Sequence, residues 1–416
     1  MIVLDQLGIS KLDLKRQNRM QILKIIKQKG PTSRIDIANT LELTRVAVTI
    51  ITNEMIDQGV IVEKGEFKQT TERAHRGRKK ILLDINHNYK FAVGIIVEKA
   101  FVSIGLSTLA GEVLDKRNLS ITDASTFKDI LRFIEKSLGE IMNYNCLKTD
   151  AILGIGVGIY PDMYERMHII VDNKSTVFSG LKEAFESFTH LPVVVDNYIK
   201  GAAMANIDFL KEKDPNRHNI AFLSYGEAFN FVVTNLYDPI VSYDNRTNFV
   251  DNMIINPYSD YDNGSGIRRG CVKYEITPPA IIKKLSKVFG KDDTPYLYKL
   301  CNGDINKVTR SMMFDALQNG DDNLMKTYTD AVALTAVLVN NLVFSTNPQK
   351  FVMHDFKFNT KEFTYFKNTL ESIAGGEISK MLDLSIIEDK NRFLAGSAIA
   401  IRELFFLNGG FNTTVV

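Results

Sequence analysis

Residues 33–59 carry the pattern that leaves this chain the fewest choices of fold. Ser33 and Asp36 stand three apart, the spacing of a capping box in which Asp replaces the usual Glu. Behind them Ile35, Ile37, Ala38 and Leu41 supply the buried side of a short helix. Only Glu42 and Leu43 separate it from another helix, which Thr44 opens as N-cap and Gly59 closes. Upstream, Met20, Leu23, Ile25 and Ile26 recur at helical spacing within residues 15–29, and Gly30-Pro31 ends that run. Three helices, the last two joined by a tight turn, form the core of a helix-turn-helix.

The third helix has two unlike faces. Val48, Ile51 and Met55 fall on one and are expected to pack on the first two helices. Thr44 at its start, then Arg45, Thr49 and Asn53, fall on the other, with Val46 and Ile50 alongside. That second face is odd for mere solvation, the alternative being a three-helix packing module. It suits a major groove, since Arg and Asn bond base edges and aliphatic groups touch thymine methyls. Beyond Gly59, VIVEKGEF and KKILLDI have the composition of paired strands. They flank KQTTERAHRGRKK, whose Arg73, Arg76, Arg78, Lys79 and Lys80 make a hairpin tip suited to phosphates or the minor groove. Residues 1–80 hold 16 Lys and Arg against 9 Asp and Glu, and the remainder 35 against 40. A basic head on an acidic body suits a head that meets a polyanion.

With 416 residues the chain exceeds one compact core. From about residue 83 strands and helices alternate, the mark of an α/β body. KFAVGIIV, AFVSIGLST, ILGIGVGIY and LPVVVDN are apolar strands. Phe127 to Met142 form an amphipathic helix through Ile130, Leu131, Phe133, Ile134, Leu138 and Ile141. Asp196-Asn197, at the end of a buried strand, either faces a cleft or makes an Asx turn or helix cap. A second α/β unit follows, interrupted by an Asn- and Asp-rich stretch at 242–265 whose composition suits a mobile loop. Cys146, Cys271 and Cys301 lie too far apart in sequence to define a disulfide framework or a metal site, so free buried thiols are expected. No apolar run reaches the roughly 18 residues of a membrane span, and the first residues lack a secretion signal. No membrane partner is expected, and the expected location is the cytoplasm.

These stretches resemble the ROK family of bacterial repressors and sugar kinases over nearly the whole chain. RQNRMQIL, TSRIDIANTLELTRVAVT, MIDQGVI and GRKK are similar to the repressor branch, and LPVVVDNYIKGAAMAN and EDKNRFLAGSAIAI to the family's body. The resemblance implies a winged helix-turn-helix over residues 1–82 and a two-lobed actin-like (RNase H-like) body. Lobe 1 would span 83–200, rejoined by the C-terminal helix of 391–416. Lobe 2 would span 201–390 and carry the dimerisation surface. A small-molecule effector would lie between the lobes, and a homodimer or higher oligomer would bind double-stranded operator DNA.

The departures from the family pattern bear on chemistry. Family kinases follow the Asn with an Asp that takes the proton from the sugar hydroxyl. Here Asn197 precedes Tyr198, whose ordinary pKa near ~10 makes it a poor base at neutral pH. The first phosphate loop becomes Gly94, Ile95, Ile96, Val97, Glu98 and Lys99, where side chains block close backbone approach and Glu98 repels phosphate. The second loop keeps only Gly226, and a third glycine pair becomes His354-Asp355. Counting from Gly226, the family's sugar-binding Glu becomes Phe249 and its zinc-binding His becomes Asn252. Cys271 is then the sole matching thiol, too little for tetrahedral zinc. No catalytic residue, metal or cofactor is expected. Asn197, Tyr198, Gly226, Phe249 and Asn252 are the expected ligand-binding residues. Three functions compete: a repressor controlled by a small molecule such as a sugar, a regulator with a vestigial pocket driven by a protein partner or constitutive dimerisation, and an ATP-dependent sugar kinase. The lost base and glycines speak against the last.

Overall fold

The computed structural model describes residues 10–66, 80–122, 125–160, 163, 174–210, 219–226, 228–235, 239–240, 247–259 and 269–411. The chain divides into one unit of residues 1–215 with 387–416 and a second of 216–386.

The first unit begins with α1 (Lys11–Lys29), β1 (Thr32–Ser33), α2 (Arg34–Leu41), α3 (Arg45–Asp57), β2 (Ile61–Glu66) and β3 (Ile81–Ile85). Ser10 and Asp13 close a full capping box on α1, and Gly30 ends it at φ 78°. Ser33 accepts from the Asp36 N–H at the start of α2, and Thr44 from the Ala47 N–H at the start of α3. Gly59, at φ 75°, donates to Ile56, and Val60 donates to Met55. That pair of bonds turns the chain out of α3, and the left-handed backbone is why glycine stands there. Strands β1, β3 and β2 form an antiparallel sheet in the order β1-β3-β2. Ile22, Leu23, Ile26, Ile37, Val48, Met55 and Leu83 are fully buried between helices and sheet. Each contributes about 1.5–3 kcal/mol through burial. Ile51 is only half-buried; Thr52, one residue on, is buried in its stead. The Thr52 hydroxyl can afford this because it donates to the Val48 carbonyl at 2.8 Å.

The same unit continues with β4 (Phe91–Val97), β5 (Phe101–Ser107), β6 (Val113–Ser120), α4 (Phe127–Tyr144), β7 (Ile152–Ile159), α5 (Lys174–Thr189), β8 (Val193–Asn197) and α6 (Tyr198–Asp208). The sheet order is β6-β5-β4-β7-β8, with β4, β7 and β8 parallel. Val93, Ile95, Val97, Ile155 and Val157 pack in one cluster with Ile130, Ile134, Leu138 and Ile141 of α4.

The second unit contains β9 (Asn219–Ser224), β10 (Asn230–Asn235), β11 (Pro239–Ile240), α7 (Pro278–Leu285), α8 (Arg310–Gln318), α9 (Met325–Thr346), β12 (Lys350–His354), α10 (Thr360–Ala374) and β13 (Leu382–Leu384). Its sheet runs β11-β10-β9-β12-β13. By length and composition the segment 322–346 could cross a membrane. Its Val332, Ala336, Val339 and Leu342 instead pack into the core of this unit.

The chain then returns to the first unit as α11 (Leu394–Ala400), which runs on as a π-helix over Ile401–Phe406. A Cβ on Gly94 would lie 2.0 Å from the Phe393 carbonyl, and one on Gly156 2.0 Å from that of Gly396. These glycines let helix and sheet backbones touch. The units therefore divide near 215 and 387, where 200 and 390 were expected. The reason is that α6 packs on α11: a Cβ on Gly201 would meet the Ala395 carbonyl at 2.6 Å.

Candidate nucleic-acid interface

Helix α3 presents the polar face that its sequence predicts. Thr44, Arg45, Thr49 and Asn53 are exposed, and beside them Val46 and Ile50 are 69% and 63% exposed. Val48 and Met55, on the opposite side, are fully buried. Among the described residues these two aliphatic side chains stay largely uncovered, on a helix anchored from behind. The Thr49 hydroxyl donates to the Arg45 carbonyl at 2.7 Å, which leaves its oxygen open to a further donor.

Arg34, at the start of α2, escaped the sequence reading, which attended to the cap on either side of it. Its guanidinium donates to Thr52 Oγ1, Asn53 Oδ1 and Glu63 Oε1, each at 3.0 Å. It thereby joins α2, the exposed face of α3 and strand β2. Lys80, at the foot of β3, bonds Asp36 at 3.1 Å. The Ser33 hydroxyl, and after it Lys80, hold the Asp36 carboxyl below the usual carboxylate range. Arg73, Arg76, Arg78 and Lys79 lie outside the described residues.

The expected ligand-binding residues divide between the units. In the first, Asn197 caps α6, its side chain accepting from the Ile199 N–H at 2.8 Å, so of the earlier alternatives the helix cap is realised. Tyr198 is fully buried and stacks on Tyr160 with 4.4 Å between ring centroids. Nη1 of the buried Arg392 donates to Glu98 at 3.2 Å, Tyr160 at 3.2 Å and the Tyr198 hydroxyl at 3.4 Å; Nη2 reaches Asp389 at 2.8 Å. Two of the positions at which the family pattern is broken, Glu98 and Tyr198, thus meet on one guanidinium. Nothing in the sequence signalled this, because Glu98 and Arg392 are 294 residues apart.

In the second unit, Phe249 and Asn252 share the 3-10 turn Asn248–Asn252, both exposed, and Phe249 packs edge-on against Phe231. Gly226 lies beyond β9, where a Cβ would meet the Ala228 carbonyl at an ordinary 3.6 Å. Between Phe249 and Asn252, Asp251 is buried and accepts from the Phe229 N–H at 2.9 Å. Burial pushes its carboxyl up to about 6, against the opposing pull of that bond and of Lys273. Asp355 takes φ 61°, so this backbone keeps a conformation suited to glycine although the glycine pair is gone. Cys271 and Cys301 are buried, but Cys146 is exposed, contrary to expectation. It follows α4 at φ 52°, where the chain turns across the surface. No three His, Cys, Asp or Glu stand together among the described residues.

The C-terminal segment reaches from the Arg392 cluster to the head. Arg19 of α1, fully buried, donates to the Gly409 carbonyl at 2.8 Å and to Gln58 Oε1, beyond α3, at 2.8 Å, and lies 3.9 Å from the Phe411 ring centroid. Lys27 of α1 meets Asp208 of α6 at 2.7 Å, and Arg402 bonds the same carboxylate at 3.1 Å.

This is a winged helix-turn-helix head on a mixed α/β body, and known proteins share both parts. No family model matches the chain. The xylose repressor of Staphylococcus xylosus is 27% identical over 217 residues, 50% of this chain and 52% of its own. The DNA-binding transcriptional dual regulator NagC of Escherichia coli is 25% identical over 219 residues, 50% and 51%. The chain spans about half the length of the curated relatives it matches. A solved ROK family transcriptional regulator, a homologue of the Escherichia coli MLC protein, covers 95% of this chain and 97% of its own at TM-score 0.69 and 18% identity. Solved ROK sugar kinases share the body's fold. The chain is a relative of the ROK repressors, with the winged head and actin-like fold of that group.

Proposed function

We propose that this chain is a sequence-specific, DNA-binding transcription regulator of the repressor type, without kinase activity, whose body answers to a sugar or sugar derivative. The observation that carries the reading is the face of α3, where Arg45, Thr49 and Asn53 flank two aliphatic side chains that are about two-thirds exposed. Relatives named for xylose and N-acetylglucosamine support a sugar effector without naming which one. Such a regulator acts where the DNA is, in the cytoplasm of a bacterium, and as a homodimer. Absence of phosphoryl transfer is supported by Tyr198 in the place of the base and by Glu98 in the phosphate loop.

The test is selection of duplexes from a randomised library by the full chain, followed by Arg45→Ala and Thr49→Ala. Each substitution should cost roughly 1–3 kcal/mol at one base pair and little elsewhere. A library that enriches no sequence would sink the reading. A thermal-shift screen over sugars tests the effector, since a ligand of the folded state raises its apparent stability. One observation favours a second reading, in which a partner protein controls the body. Arg392 already occupies Glu98, Tyr160 and Tyr198, the groups that would line a ligand site in the first unit. A screen with no stabilising sugar supports that reading.

A further inference from the structure

We infer that Arg34 fixes Asn53 as a hydrogen-bond donor toward the major groove, so that the base facing Asn53 is chosen for its acceptors, guanine first. The inference rests on the DNA-binding reading of α3. Asparagine's usual contact is bidentate to adenine: its carbonyl accepts from N6 while its amide donates to N7. Both ends must then point at the base together. Here Oδ1 is turned back onto Arg34 Nη2 at 3.0 Å.

The arginine is itself pinned. Its Nε donates to Thr52 Oγ1 and its Nη2 to Glu63 Oε1, both at 3.0 Å. Thr52 is buried and back-bonded to Val48, so the anchor is rigid. Glu63, on β2, offsets the charge of Arg34 and holds it on the protein side of the helix. Asn53 remains exposed and offers the groove its two Nδ2 hydrogens. Guanine alone presents two adjacent acceptors there, N7 and O6, whereas adenine pairs an acceptor with a donor that would meet the Nδ2 group head-on. Arg34 is a positioning residue: it selects the base through Asn53 without touching it.

The experiment uses the full chain and its library-selected duplex, with each base pair varied in turn and binding followed against salt. Asn53→Ala should flatten a guanine preference at one base pair by about 10-fold. Arg34→Ala should move the preference at that same base pair toward adenine or abolish it, leaving the other positions within about 2-fold. The salt dependence should not change, because no phosphate contact is lost. Arg34→Ala should add nothing on the Asn53→Ala background, since the arginine acts through the amide. Arg34→Lys, which keeps the charge but lacks the fork, should lose the preference while keeping the melting temperature. A uniform loss of affinity with a shallower salt slope would make Arg34 a phosphate contact and overturn the inference. So would an adenine at the Asn53-dependent position of the wild-type site. Both results leave the DNA-binding reading standing, whereas a library with no enriched sequence brings down that reading as well.

Discussion

Asp251 illustrates what a single buried group does to this protein. Its side chain sits between two exposed residues of a short turn, yet is itself buried, with one backbone N–H to satisfy it. Desolvation disfavours its charged form and lifts its pKa to about 6. In the unfolded chain the group titrates near ~3.9. Between those values the folded protein binds the extra proton, so the contribution of Asp251 to stability is greatest at low pH and declines as pH rises from about 4 to about 6. Asp251→Asn keeps the acceptor for Phe229 and removes the buried charge. The variant is expected to melt above wild type at pH 7.5, with the difference shrinking toward pH 4. Equal melting curves at both pH values would show that the carboxylate is better solvated than its burial implies. Elsewhere the single residues divide by face: Val46 and Ile50 are exposed, while Val48 and Met55 hold their helix in place.

At the scale of elements, the contact between head and body is built by α1, α6 and the end of the chain. Asp208 closes α6 and is nearly inaccessible, which would raise its pKa, but Arg402 and Lys27 outweigh the burial and hold its carboxyl below the usual range. A depressed pKa means stability that is present above the unfolded value and lost as pH falls through the folded one. Asp208→Asn leaves two cations around a neutral group, and breaking buried pairs of this kind costs about 3–5 kcal/mol. Chemical denaturation should show that loss, and hydrogen exchange should show α1 losing protection. Exchange unchanged in α1 would mean that the Arg19 contacts with Gly409 and Gln58 suffice to hold the head. Helix α11 begins beside Arg392, its continuation ends at Phe406 under Lys27, and the turn beyond carries Gly409 to Arg19.

At the scale of the molecule, two predictions follow from reading the chain as a non-enzymatic dimer. One head covers one half-site, so tight binding requires two heads about one helical turn apart. Inserting about five base pairs between half-sites rotates one to the opposite side of the duplex and should abolish tight binding; binding that survives it would favour a monomer. The second concerns catalysis. Tyr198→Asp restores a carboxylate where the family kinases have their base, but Arg392 and Glu98 still occupy its surroundings. A coupled assay with ATP, magnesium and a sugar panel should give no turnover for wild type or variant. Turnover in the variant alone would show that the base was the one missing part.

Much of the head was legible in residues 15–85 because its signals are local. Caps act over three residues and helical faces repeat every three or four, so the ends of α2 and α3 and the outward face of α3 follow from neighbouring letters. The body's strands were legible from apolar runs of the right length, and its relation to ROK proteins from longer stretches such as LPVVVDNYIKGAAMAN. Charged partners leave no such trace. Arg34 finds Asn53 and Glu63 at separations of 19 and 29 residues, Arg392 finds Glu98 at 294, and Arg19 finds Gly409 at 390. An arginine reads the same in sequence whether it faces water, a phosphate or a buried carbonyl. Which of these it meets depends on where long-range packing carries its helix, and the path from Arg392 to Arg19 came into view only with the folded chain.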